Sequence, residues 1–352
     1  MGCVKTLTLG TAPTSTEMSL DNAIVATSTI AGGTFIFAVR GPYVFRINAT
    51  TGALIATAKI DPQMTGPTSI AYNPGTDRLL IAGWCRLFPG ITDNDPGPFS
   101  FNNFYYLYTV DPSTLLVDSF VNLRPLIGSG SSATGVSTGP WVMKWLGIGG
   151  FEGLYGLLHD TESSELWRYG MSTVITGTGH RCGSACFGNI SNDFAWDGVN
   201  NFYWARSDTE EVALLDMTQN NGINWQIIDQ FDLWSGDSSI PFGIEVAPST
   251  GDIYAGTQNG LIKRLNYSGG FTLVSSLNTT MGNTIFKIRY NPFDGLLYCP
   301  CFAEDKIAVV DPATMALSGA IRTGFASPWD VIFTSTKKWA VQAGNLGIKE
   351  II

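Results

Sequence analysis

The sequence predicts an all-β ring made of one repeated four-stranded unit, and three observations predict it. The first is a recurring hairpin. Tyr72-Asn73-Pro74-Gly75-Thr76-Asp77-Arg78-Leu79-Leu80-Ile81, Ala247-Pro248-Ser249-Thr250-Gly251-Asp252-Ile253-Tyr254 and Tyr290-Asn291-Pro292-Phe293-Asp294-Gly295-Leu296-Leu297-Tyr298 are copies, with looser ones at 196–204 and 333–341. Each sets a turn of Gly, Asn, Asp or Pro between two apolar runs, which is a hairpin signature. The second observation is a further hairpin after the first. Leu107-Tyr108-Thr109-Val110-Asp111-Pro112-Ser113-Thr114-Leu115 is matched by Ile307-Ala308-Val309-Val310-Asp311-Pro312-Ala313-Thr314-Met315, and Phe45-Arg46-Ile47-Asn48-Ala49-Thr50-Thr51-Gly52 and Ala213-Leu214-Leu215-Asp216 fit the template. The third is the spacing, since the pair of hairpins returns every 40–50 residues over most of the chain. Two hairpins make a four-stranded blade, and a ring of blades is a β-propeller.

Taken in order, blades begin near residues 22, 68, 140, 192, 241, 283 and 327, which makes seven. The last unit, from Asp330–Phe333 and Trp339–Ala343 to Leu346–Ile352, is one strand short. Residues 1–10 supply it, because Cys3–Leu9 followed by Gly10-Thr11-Ala12-Pro13 mirrors Ala320–Pro328. The expected fold is one domain over 1–352, a seven-bladed propeller closed by the N-terminal strand pairing into the last blade. Closure leaves no open sheet edge. It also gives Met1-Gly2-Cys3-Val4-Lys5-Thr6, which fits a myristoylation pattern, a structural use instead.

Asp305–Trp329, with its Val310-Asp311-Pro312-Ala313-Thr314 core and the Gly324…Pro328 lead-in, resembles the YVTN and NHL-type propeller repeats. The lead-in recurs at Gly66-Pro67 and Gly139-Pro140. The resemblance implies the fold and leaves function open, since such repeats serve enzymes, binders and scaffolds alike.

Composition removes several classes. Charged residues are 14% of the chain and hydrophobic ones 44%, the opposite of a disordered segment. Net charge is −9, so the basic footprint of a nucleic-acid binder is missing. No apolar run approaches the roughly 20 residues of a membrane-spanning helix. No basic-then-apolar leader opens the sequence, and Cys3, Cys85, Cys182, Cys186, Cys299 and Cys301 are scattered, so free thiols made in a host cytoplasm are expected.

The unequal spacing marks insertions. Segments 85–104, 124–139 and 177–191 fall where a propeller places loops of one face. Long loops on a rigid scaffold are common binding surfaces. Phe88, Phe99, Phe101, Phe104, His180 and Arg181 are the residues there suited to contact a partner. His180-Arg181-Cys182-Gly183-Ser184-Ala185-Cys186 is three ligand types where zinc wants four, so no metal is assigned. His159-Asp160-Thr161-Glu162 reads as a turn between strands. No nucleophile-elbow, zinc-protease or phosphate-loop pattern occurs.

Aligning inner strands on their turns puts Ser69, Asp193, Gly243, Lys287 and Asp330 at one register of the central channel. Two residues on stand Ala71, Ala195, Glu245, Arg289 and Ile332. Propeller lactonases and strictosidine-synthase-like enzymes hold Ca²⁺ or Zn²⁺ over this channel with acids. That resemblance would give Asp193 and Asp330 a cation, and a Ca²⁺ in the channel is left open, with no other cofactor expected. Lys287 and Arg289 argue instead for ion pairs, with Glu245 to Arg289 the best candidate. The sequence therefore points to a non-enzymatic structural or binding propeller. Its C-terminal stretch Trp339–Ile351 resembles the ends of bacteriophage propeller proteins. The expected setting is a virion, on tail or capsid, as a receptor-binding or decoration module. Its partners are other virion proteins or a host surface receptor or glycan, with no nucleic acid and no membrane insertion. The alternative is a metal-dependent propeller hydrolase.

Overall fold

The computed structural model of the chain describes residues 3–8, 25–28, 35–40, 42–60, 64–86, 103–122, 138–148, 151–159, 164–169, 174–175, 193–206, 209–216, 226–233, 239–282, 284–302, 304–324, 328–342 and 347–351. Among these residues there are strands and no α-helix. No helix of the described residues is long and apolar enough to cross a membrane.

The strands run β1 (Cys3–Thr8), β2 (Val25–Ser28), β3 (Phe35–Arg40), β4 (Tyr43–Asn48), β5 (Leu54–Lys59), β6 (Met64–Asn73), β7 (Arg78–Arg86), β8 (Asn103–Val110), β9 (Val117–Asn122) and β10 (Thr138–Ile148). They continue with β11 (Phe151–His159), β12 (Ser164–Tyr169), β13 (Val174–Ile175), β14 (Asp193–Trp196), β15 (Asn201–Arg206), β16 (Glu211–Asp216), β17 (Gln226–Asp232), β18 (Pro241–Ala247) and β19 (Asp252–Thr257). The remainder are β20 (Leu261–Tyr267), β21 (Phe271–Asn278), β22 (Arg289–Tyr290), β23 (Leu297–Cys301), β24 (Lys306–Asp311), β25 (Ala316–Arg322), β26 (Pro328–Phe333), β27 (Lys338–Gln342) and β28 (Gly347–Ile351). They form antiparallel meanders of four: β2–β5, β6–β9, β10–β13, β14–β17, β18–β21 and β22–β25, with β26–β28 joined by β1. Cys3 lies opposite Ile351 and Thr8 opposite Gly347.

Alternation along each strand builds the core. In β3, Phe37 and Val39 face β6–β9 and pack with Ile70, Leu79, Ile81 and Tyr108. Ile36 and Ala38, one residue out of step, face the opposite way and pack with Trp339, Val341 and Ile348 of the last sheet. A period of two therefore gives each sheet two buried faces. Similar clusters lie between each of the other successive pairs of sheets. Trp204, Trp339, Phe37 and Phe194 are fully buried, and each such ring contributes about 2–3 kcal/mol of burial.

The turns explain why short strands keep register. Asn48 Oδ1 accepts the Thr50 and Thr51 N–H groups at 2.9 Å each. Asn73, Asp111 and Asp311 repeat the arrangement, and Asn291 Oδ1 accepts the first N–H of its turn, from Phe293. An Asx side chain that mimics a backbone carbonyl closes the turn locally. The fifth residue of the turn lies in the left-handed region: Gly52 (φ 68°), Asp77 (51°), Leu115 (61°), Gly295 (75°) and Met315 (56°). Glycine takes that region freely. Leu115 and Met315 accept its strain because their side chains are buried in the core.

Two of these turns are held by an arginine of the preceding sheet. Arg46 Nη1 donates to the carbonyls of Pro112, at 3.1 Å, and Ser113. Arg264 Nη1 donates to Ala313 O at 2.6 Å, beside Tyr254 Oη on Pro312 O at 2.8 Å. In five sheets the pairing of the third and fourth strands slips by one residue near the turn. Such a bulge twists the outermost strand and makes a poor template for edge-to-edge pairing.

Strand ends differ from the sequence reading in three places. Cys85 and Phe104, expected as loop ends, are paired strand residues of β7 and β8, because the hairpin pairing continues two residues past Gly83 and Tyr106. Thr138 and Gly139 belong to β10 and not to a loop. His159 is the last residue of β11, opposite Thr138 and Ser164, so it is not in the turn. Phe88, Phe99, Phe101, His180 and Arg181, with Cys182 and Cys186, lie outside the described residues.

Candidate functional site

The first strands of the meanders meet at the centre. β6 contacts β2 and β10, β18 contacts β14 and β22, and β26 contacts β22 and β2. Residues of β6, β10, β14, β18, β22 and β26 line a cavity of about 860 Å³. One close approach depends on glycine. A Cβ on Gly243 would sit 2.9 Å from the Lys287 backbone, and Gly243 N donates to Ile285 O at 3.1 Å. A bare backbone there brings residues 285–289 against β18 and carries Lys287 and Arg289 into the cavity wall.

Asp193, at the start of β14, is fully buried and is the hub. Its Oδ1 receives Lys144 Nζ at 2.9 Å and the Phe194 N–H at 2.9 Å. Its Oδ2 faces Lys287 Nζ at 3.4 Å and Arg289 Nη1 at 3.3 Å. Arg289 then grips Asp330 with two parallel bonds, Nε to Oδ1 and Nη2 to Oδ2, both 2.8 Å. This fork geometry is the strong form of a charge-assisted pair. Lys144 Nζ also donates to Phe194 O and stands 5.0 Å from the Phe194 ring centre. Glu245, Lys287, Arg289 and Asp330 therefore share one wall with Asp193 buried behind it, but the expected Glu245–Arg289 pair is not the one formed. Arg289 reaches across to Asp330 and Asp193, while Glu245 Oε1 accepts its neighbour's Val246 N–H at 3.1 Å. Register placed both side chains in the channel, and the fork of the guanidinium selected the acid it could meet with two bonds.

The titration behaviour follows from burial and partners. Burial alone would push the Asp193 carboxyl up; Lys144, Lys287 and Arg289 outweigh it and hold the group at about 2. Burial lowers the Lys287 ammonium to about 8, against the pull of Asp193 and with the push of Arg289 and Lys144. Burial raises the Glu245 carboxyl, and Lys144 and Arg289 only partly offset it. Burial works against the Arg289 charge, and Asp330 and Asp193 more than restore it.

Three carboxyls thus stand among three cations. Calcium takes six to eight oxygen ligands. Here both Asp330 oxygens carry Arg289, both Asp193 oxygens carry ammonium or guanidinium groups, and three positive charges occupy the place of the ion. These residues do not fit a calcium ion. Among the described residues no group of three or more His, Cys, Asp or Glu side chains is placed to hold a metal. Cys299 and Cys301 are buried free thiols in β23, and burial raises both.

Lys144 is the member sequence reasoning missed. It stands four residues after Pro140, as Ala71 stands four after Pro67 and Ile332 four after Pro328, so the lead-in that marks each blade start would have found it. Around the network the cavity is walled by Tyr72, Trp145, Trp196, Phe293 and Phe333. At the other end of the inner strands Phe286 contacts Phe242, Phe302 and Trp329, with ring centres 4.8–5.0 Å away.

No family model matches the chain, and no curated protein matches it. Among solved structures 1354 chains match, so the likeness is to an architecture shared by many proteins. One is the β-propeller domain of Cps50 (Swd1) from Myceliophteria thermophila, with TM-score 0.61 and 9% identity over 95% of this chain and 97% of that one. At such identity the likeness shows the fold alone: the chain is a β-propeller.

Proposed function

We propose that the chain is a seven-bladed, closed β-propeller of the YVTN or NHL type that binds partners without catalysing a reaction, and that it works as a bacteriophage virion component on the tail or capsid. Support for the seven-blade ring comes from seven sheets of four strands among the described residues and from the packing of the first sheet on the last. Support for its closure comes from β1 completing the last sheet.

The observation that carries the binding reading is the saturated channel. Its two aspartates, Asp193 and Asp330, are engaged by Lys144, Lys287 and Arg289, so the acids that the resemblance to propeller hydrolases would give a metal are already paired. The virion setting is supported by composition, few charged residues with abundant glycine, and by the resemblance of the C-terminal stretch. Expected partners are other virion proteins or a host receptor or glycan.

Negative-stain microscopy of purified virions, labelled with antibody against this chain, tests the setting. Label at a tail tip or on the capsid supports it. A chain found in lysate with unlabelled virions sinks it. Lactonase and esterase assays with added Ca²⁺ test the absence of catalysis, and turnover above background would overturn that part.

A further inference from the structure

The cavity carries features that a merely structural channel does not need. Besides the charged wall, residues of the turns after the inner strands line it: Pro74, Pro292, Phe293 and Ser335. Its mouth is therefore at that end, where Phe293 is 57% exposed. A volume of about 860 Å³ is within the usual range of roughly 300–1,000 Å³ for small-ligand sites.

Two cations in the wall have donors to spare. Arg289 uses Nε and one Nη2 proton on Asp330 and its Nη1 protons on Asp193 and the Ile288 carbonyl. Lys144 uses two protons, on Asp193 and Phe194 O. With five N–H donors on guanidinium and three on ammonium, each keeps one with no acceptor among the described residues. Acceptors alternate with them, because Asp330 and Glu245 line the same space. Burial raises the Glu245 carboxyl. The Trp196 indole N–H also has no acceptor among the described residues.

We propose that this mouth, bounded by Trp145, Trp196 and Phe293 over Lys144 and Arg289, binds an acidic saccharide, its carboxylate on the two cations and its ring against the aromatic wall. The proposal rests on the binding reading above and names the ligand of the channel end. Aromatic faces suit the C–H face of a sugar ring. Interleaved donors and acceptors suit hydroxyls, which do both, and a lone apolar side chain would leave them unmatched. Each inner strand is the edge of its sheet, so an extended peptide is the rival occupant, and the test below separates it from a sugar.

The test is titration calorimetry of the purified chain with N-acetylneuraminic acid and galacturonic acid, galactose as the neutral control, and a carboxylate-terminated tripeptide as the rival. At least one acid sugar is expected to bind with a millimolar or tighter Kd, at least tenfold better than galactose and the tripeptide. Lys144→Gln should weaken it tenfold or more. Phe293→Ala, on an exposed turn and so neutral for folding, should weaken it at least threefold, while Phe120→Ser on the outer strand β9 should not change it. No heat from either acid sugar at 20 mM ligand (a concentration of order 10 times the expected Kd), equal affinity for galactose, preference for the tripeptide, or Phe293→Ala binding within experimental error of the parent overturns the site. Binding with unlabelled virions keeps the site and removes the virion setting; conversion of the sugar during titration removes the non-enzymatic reading.

Discussion

Asn48, Asn73, Asp111 and Asp311 put the same kind of side-chain oxygen over the same two backbone N–H groups, at 2.7–3.3 Å, in three different sheets, and Asn291 does so over the first of them. At the register shared by the inner strands stand Ala71, Lys144, Ala195, Glu245, Arg289 and Ile332. The periphery repeats and the centre does not. A turn solves a local problem, so the same residue type answers it wherever that turn recurs. A central position faces different neighbours in each blade, so its residue answers to the whole molecule. Periodic positions therefore hold the scaffold together, and aperiodic ones are where a repeat protein becomes individual.

Perturbations of the two regions should differ in size and in kind. The largest effect is expected from Asp193→Asn, which keeps shape but leaves three cations with one buried anion fewer. Breaking a buried pair costs about 3–5 kcal/mol. A fall of that order in urea-unfolding free energy is expected, and a loss under 1 kcal/mol would mean that Asp330 alone balances the centre.

The next largest is peripheral. Leu115→Ala should cost about 2–4 kcal/mol, as for other buried leucines. Leu115→Gly, against the usual order, should cost no more, because glycine relieves left-handed strain worth about 1–2 kcal/mol. If glycine proves worse by 1 kcal/mol, strain at this turn is negligible.

The centre should also give the chain an unusual pH profile. Lys287 titrates at about 8 when folded, against 10.5 for the ordinary group. Between these values the unfolded chain binds more protons, so stability rises with pH, by up to roughly 1.4 kcal/mol per unit. Lys287→Met should remove that rise. Asp193, held at about 2 against 3.8, contributes stability that is complete above pH of about 4 and is lost as pH falls towards 2. Chemical denaturation at pH 3, 7 and 9.5 reads both limbs.

Smaller still, Asn48→Ala deprives two N–H groups of their acceptor and should cost about 1 kcal/mol, whatever the state of the centre. Glu245→Gln should be neutral or stabilising by less than about 1 kcal/mol, since burial already opposes that charge. A double mutant of Asn48→Ala and Asp193→Asn should be additive, and coupling above 0.5 kcal/mol would show that turns and centre are not independent.

This contrast also sets what was legible in the sequence. The turns could be read because Asn73-Pro74, Asp111-Pro112 and Gly295 act within a few residues. The inner strands could be placed because the Gly-Pro lead-in recurs at 66–67 and 139–140. Asp193, Glu245, Lys287, Arg289 and Asp330 followed from register alone. Lys144 needed the same register carried into a blade whose hairpin lacks an Asx turn signature. That Arg289 takes Asp330 and Asp193 over Glu245 was beyond any pattern, because a guanidinium chooses among acids by distance and fork angle in three dimensions. The two arginine clamps show the same limit. Arg46 is flanked by the Phe35 ring at 5.3 Å, and Arg264 by the Asp252 carboxylate at 2.5 Å. One clamp position is served by two chemistries that no repeat template would equate.

The pairing of β1 with β28 has a mechanical consequence. Leu7 meets Ile348, so a ladder joins opposite ends of a 352-residue chain. A contact so distant in sequence forms late, since the entropy of closing the loop must be met first. Cys3 lies opposite Ile351, which places both outer ends at the same end of the ladder. Tension on those ends peels the rungs one at a time instead of shearing them together. The pairing that takes longest to make is therefore the one that a pull at the ends undoes most easily, while the six neighbouring sheets, each formed from one continuous stretch of chain, carry no load until it has opened.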